Sequence, residues 1–145
     1  MAGIVVGIDG SDNAHRALDW ALKEAGAHHA PLTVITVHEV ASNAWTGNPI
    51  ILPPDQDEVE KIRPRVEEIV AQAAEQAGDP EPTSITVRVT IGLAARVLIE
   101  ASRDADLLVV GSRGGGGFAR SLLGSVSQQV VQHSESPVVV VPDRK

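Results

Sequence analysis

Apolar residues fall along this chain in two rhythms, short unbroken runs and series spaced by three and four, and the two alternate from one end to the other. Ile4 to Asp9 is a nearly continuous apolar run stopped by Gly10-Ser11-Asp12, which predicts a buried strand, a turn and a helix cap. The helix should run to about His28 or His29, because Ala14, Ala17, Leu18, Ala21, Leu22 and Ala25 make one apolar face. Leu32 to about Val40, rich in Val, Ile and Thr, predicts the second strand. Ala41 to Asp55 is polar and too long for an ordinary connection, so it reads as a flap or surface loop, with Trp45 either covering a ligand or packing on the surface. Gln56 to Ala77 is helical by Val59, Ile62, Val66, Ile69, Val70 and Ala73, with Pro64 expected to kink it or to open its main part, and Gly78-Asp79-Pro80 ends it.

Thr83 to Ile91 sets Ile85, Val87, Val89 and Ile91 against Thr86, Arg88 and Thr90, the alternation of a strand at a sheet edge. A short helix over Gly92 to Ser102, a buried strand over Asp106 to Val110, a helix from Ser121 or Ser125 to about Ser134, and a strand over Val138 to Val141 complete the pattern. Strands alternating with helices imply a parallel sheet covered on both faces, with right-handed crossovers. The expected fold is therefore a three-layer α/β sandwich with a five-stranded parallel sheet of order 3-2-1-4-5. In that order the first and fourth strands are neighbours whose connections leave toward opposite faces, and ligands bind in the crevice beyond their carboxyl ends.

Composition narrows the picture. The 145 residues, 43% apolar, suit a single domain over 1–145, and with no cysteine there is neither a disulfide framework nor thiol chemistry. A net charge of −7 argues against nucleic acid or an anionic membrane as partner. Met1-Ala2-Gly3 leads straight into a strand, and no apolar run approaches the ~20 residues that span a bilayer, so the expectation is a soluble, cytoplasmic protein. The charge is unevenly spread: no acidic residue lies between Asp106 and Glu135, whereas Arg113 and Arg120 do.

That locally cationic window holds the chain's clearest chemical signal. Gly111-Ser112-Arg113-Gly114, nine residues, then Gly124-Ser125 directly follow the apolar run Leu107 to Val110. Gly111 and Gly114 let backbone approach a ligand, the run Gly114, Gly115, Gly116, Gly117 lets successive N–H groups converge on one anion, and Ser125 at the helix entry can cap or bind phosphate, with Val126 and Ser127 beside it. Asp9, ending the first strand, could accept hydrogen bonds from ribose hydroxyls or hold a magnesium ion that bridges phosphates. Gly7 leaves room beside the same strand end, and Val37 is placed to flank an adenine ring.

Gly-x2-Gly-x9-Gly-Ser, as Gly111, Gly114, Gly124 and Ser125, resembles the nucleotide motif of the universal stress protein family. Ile4 to Ser11 is similar to that family's first strand, Asp106 to Ser112 to its fourth, and Ser136 to Val141 to its last. The resemblance covers essentially the whole chain and implies a Rossmann-like, adenine nucleotide alpha hydrolase-like domain of the ATP-binding type. Asp9 would sit at the ribose, Val37 near adenine and Gly111 to Ser127 around the phosphates, and other members of the family prefer cyclic AMP or bind no nucleotide. The second strand departs from the family where it ends Thr36-Val37-His38-Glu39, since a His-Val pair is common there.

Neither Gly-x4-Gly-Lys-Ser/Thr nor a Gly-x-Gly-x2-Gly fingerprint after the first strand occurs, and no residue stands out to orient an attacking group. His15 and His38 carry no supporting pattern, and the His28-His29 pair reads as favourable placement at a helix carboxyl end. The leading expectation is a nucleotide-dependent regulator in stress response, with a slow magnesium-dependent ATPase, a cyclic-AMP-binding member of the family and a nucleotide-free dimeric interaction scaffold as alternatives. Four valines in the last strand would form an aggregation-prone edge unless covered, and both this and the resemblance point to a homodimer through Val138 to Val141.

Overall fold

The computed structural model describes residues 3–9, 12–39, 56–112 and 124–142. Within them β1 (Ile4–Ile8), β2 (Pro31–Glu39), β3 (Ser84–Gly92), β4 (Leu107–Gly111) and β5 (Val138–Val141) form one parallel sheet in the order β3-β2-β1-β4-β5, as the alternation of elements predicts. Four helices connect them: α1 (Asp12–Ala27), α2 (Gln56–Ala77), α3 (Ala94–Ser102) and α4 (Ser125–His133).

The period of two in each strand divides its apolar run between two cores. Ile4, Val6, Ile8, Leu32, Val34 and Val109 pack against α1 and α2, while Val5, Ile35, Leu108 and Val110 pack against α3 and α4. Leu18 and Leu22 of α1 are almost wholly buried in the first core, each contributing about 1.5–3 kcal/mol by leaving water. β3 lies at the edge, and its exposure follows: Ile85 is 37% exposed, whereas Val89, further along, is buried at 7%.

α2 spans Gln56–Ala77, the bounds its pattern predicts, and carries Pro64 inside it. Proline removes one rung of the helical ladder, and the burial of Val59, Val66 and Val70 on either side offsets that loss. α3 begins at Ala94 rather than Gly92, because Gly92 completes β3 and Leu93 is the extended N-cap residue. After α1, Ala30 N–H donates to Ala25 O at 2.9 Å and His29 N–H to Gly26 O at 3.1 Å, with His29 in the left-handed region at φ 52°. This is the Schellman arrangement, with histidine where glycine is usual. At the same end of the sheet, Gly3 N–H donates to Asp106 Oδ2 at 2.9 Å and Asp106 N–H to Gly3 O at 2.8 Å, which fastens the start of β1 to the start of β4.

Candidate functional site

Register decides what meets at the carboxyl end of the sheet. Val6 pairs with Val109 of β4, and Ile8 pairs with Thr36 of β2. Carried past the last paired residues, the same registers bring Asp9 level with Ser112 on one side and with Val37 on the other. Asp9 is exposed just beyond β1, and Val37 is half-buried against the α3 and α4 core. Three residues singled out from distant parts of the sequence thus share one level, beside the two strands whose connections diverge.

The passage from β4 to α4 is held by a short chain of hydrogen bonds. Ser112 N–H donates to Val141 O at 2.9 Å, and Gly124 N–H donates back to Ser112 O at 2.8 Å, so the two ends of the intervening segment are brought together. Ser127, 4% exposed, donates its hydroxyl to Gly111 O at 2.6 Å. Its side chain therefore anchors the first turn of α4 to the last residue of β4.

Gly124, in extended conformation, occupies the N-cap position without a side-chain cap, and Ser125 is the first helical residue, exposed. Of the two roles the sequence allows Ser125, capping or binding phosphate, the cap position itself falls to Gly124, one residue earlier. The first rung of the helix is Gln128 N–H to Gly124 O at 2.9 Å, so the N–H groups of Ser125, Val126 and Ser127 have no partner within α4. With no acidic residue in that first turn, the helix end retains its positive character. Such an end suits an anion.

The room that Gly7 leaves is taken by α3: a Cβ there would lie 2.8 Å from Leu98 Cδ1. Arg113, the run Gly114 to Gly117, Arg120 and Trp45 lie outside the described residues. His38 is exposed, and His15 is half-buried with its Nε2 enclosed and lacking a hydrogen-bond partner. His28 Nε2 meets Glu24 Oε1 at 2.9 Å on the surface of α1. Among the described residues no cluster of three or more His, Asp or Glu could hold a metal ion, and no helix is long and apolar enough to cross a membrane. A magnesium ion seated by one carboxylate and the phosphates it bridges would not need such a cluster.

A feature that the sequence reading missed adjoins this site. Between α3 and α4 lies an open cavity of about 550 Å³, with Leu93, Arg96 and Ile99 on one wall and Ser125, Val126 and Gln129 on the other. Its volume is that of a small-molecule pocket. Arg96 offered no signal beforehand, since it is one charged position on a short helix whose neighbour across the groove is remote in sequence.

A five-stranded parallel sheet of order 3-2-1-4-5, packed on both faces by helices, defines the class as a doubly wound α/β domain. The universal stress protein family matches residues 2–142, and the chain belongs to that family. Curated relatives include a universal stress protein of Mycolicibacterium smegmatis, 34% identical over 96% of this chain and 47% of its own length. Another, from Mycobacterium tuberculosis, is 36% identical over 97% of this chain and 48% of its own length. The chain thus spans about half the length of the curated relatives it matches. Among solved structures, the universal stress protein UspA from Lactobacillus plantarum superposes with a TM-score of 0.74 at 22% identity, covering 95% of both chains. A universal stress protein solved in complex with cAMP has a TM-score of 0.65 at 30% identity, covering 96% of this chain and 94% of its own. A third, from Archaeoglobus fulgidus in complex with dAMP, has a TM-score of 0.65 at 21% identity, covering 95% of both chains.

Proposed function

We propose that this chain is an ATP-binding regulator of the stress response, acting in the cytoplasm as a homodimer. The observation that carries the reading is the common level of Asp9, Val37 and Ser112 beside an uncapped, acid-free helix end. In it, Asp9 takes the ribose hydroxyls, or a magnesium ion bound with the phosphates, and Val37 flanks the adenine. Gly111, Ser112 and Gly124 shape the backbone around the phosphates, together with Arg113 and Gly114 to Gly117. Ser125 and the N–H groups of Val126 and Ser127 supply donors. Gly7 acts from behind, by letting α3 close on β1.

Cyclic AMP is the second ligand to weigh, because the neighbour solved with it is 30% identical to this chain. Hydrolysis is not required by the reading: bound ATP would bias loop or dimer conformation simply by favouring one state. Replacing Gly114 with a bulky residue is expected to abolish nucleotide binding and leave the circular dichroism spectrum intact. Unchanged ATP affinity in that variant would refute the assignment of the loop. Protein purified without added nucleotide, then denatured and assayed for released adenine compounds, separates the alternatives: retained ATP supports the regulator, retained ADP an ATPase, and none the scaffold.

A further inference from the structure

The groove between α3 and α4 bears on which nucleotide the site prefers. Arg96 stands in the first turn of α3 and lines the groove opposite Ser125 and Val126, which belong equally to the candidate phosphate site. A cation in the first turn of a helix opposes the macrodipole, and an acid is the usual choice there. Yet neither α3 nor α4 has an acidic residue in its first turn, in a chain of net charge −7. The other groove arginine, Arg103, is engaged by Glu135 at 2.8 Å, whereas Arg96 has no ion pair among the described residues. Glu100, the carboxylate on the groove wall, lies a turn further along α3. The first turns of both helices therefore bring positive potential to the end of the groove next to Ser125, with Glu100, four residues on from Arg96, unpaired with it among the described residues.

We propose that this end of the groove receives the distal phosphates of a nucleoside triphosphate, and that Arg96 is the residue that makes the site prefer a triphosphate to a monophosphate or a cyclic nucleotide. The inference rests on the nucleotide reading above and deepens it. A guanidinium can form a charge-assisted pair with a terminal phosphate, which only the longer ligand carries that far. The groove's volume leaves room for such a chain, and its opening to solvent lets the ligand enter along it.

Calorimetric titration with ATP, AMP and cyclic AMP, in magnesium buffer, tests this on the wild-type protein and on Arg96→Gln. Arg96 is exposed, so its replacement should not disturb folding, and Arg96→Glu provides a charge-reversed second variant. Expected is wild-type preference for ATP, a loss of about tenfold in ATP affinity in Arg96→Gln, and AMP and cyclic AMP affinities within about twofold of wild type. Arg96→Glu should lose more, and Lys23→Gln, on α1 across the sheet, should change none of the three. Unchanged ATP affinity in Arg96→Gln, equal weakening of all three ligands, or a wild-type preference for AMP or cyclic AMP would overturn the proposal while leaving nucleotide binding intact. Failure of the wild-type protein to bind any of them would overturn the nucleotide reading itself, and this inference with it.

Discussion

At the scale of single residues, glycines do two kinds of work that sequence alone does not separate: conformational freedom and absence of bulk. Gly7 belongs to the second kind, since its missing side chain is what Leu98, 4% exposed, packs into. Gly7→Ala should therefore cost about 1–3 kcal/mol by overpacking, read from the midpoint of urea denaturation. Combined with Leu98→Val, its cost should be smaller than the sum of the single changes, because the shortened side chain relieves the clash. Strict additivity would mean that Leu98 is not the reason for this glycine. Loss of nucleotide affinity without loss of stability would place Gly7 in direct ligand contact instead. His29 shows the converse difficulty: a left-handed cap position held by histidine gives no glycine signal to read.

At the scale of elements, the alternation of apolar runs and helical spacing made the order of strands and helices legible, because each period reflects burial on a local face. α2 and β5 have the bounds that their patterns predict, and the edge position of β3 follows from its alternation. The hydrogen bonds that turn β4 into α4 were not legible, since they depend on how two segments meet. Ser127 reads as one more small polar residue near a phosphate motif, yet it is buried with its hydroxyl on Gly111 O. Ser102 is similar, wholly buried, with its hydroxyl accepting from Glu135 N–H at 3.0 Å and so joining α3 to the turn after α4. Replacing Ser127 with alanine leaves a part-buried carbonyl short of a donor and should lower stability by about 1–2 kcal/mol. If the anchor also sets the direction of α4's first N–H groups, ATP affinity should fall in the same variant under conditions where it remains folded. Stability and affinity both at wild-type values would show that the Ser127 to Gly111 bond fixes nothing.

At the scale of the whole molecule, the sheet has two edges, and they differ in how they resist pairing with another chain. β3 presents exposed Thr86 and Arg88, polar and charged groups of the sort that protect an edge, whereas β5 is four valines without a charge. Val138, Val139 and Val140 are only partly buried by their own chain, and Val131 of α4 is 47% exposed. Covering this apolar edge would remove it from water and satisfy strand groups that face outward, so association through β5 is the outcome expected of a second copy. Sedimentation over a dilution series in the micromolar range should give a dimer. Val140→Lys should give a monomer whose far-UV circular dichroism matches that of the parent, because a desolvated ammonium opposes the pairing more than it opposes a strand open to solvent. A wild-type protein that sediments as a monomer throughout, or a folded Val140→Lys variant that stays dimeric, would exclude β5 as the contact. If Val140→Lys fails to fold, the dilution series of the parent still decides whether this edge is covered by association or left bare.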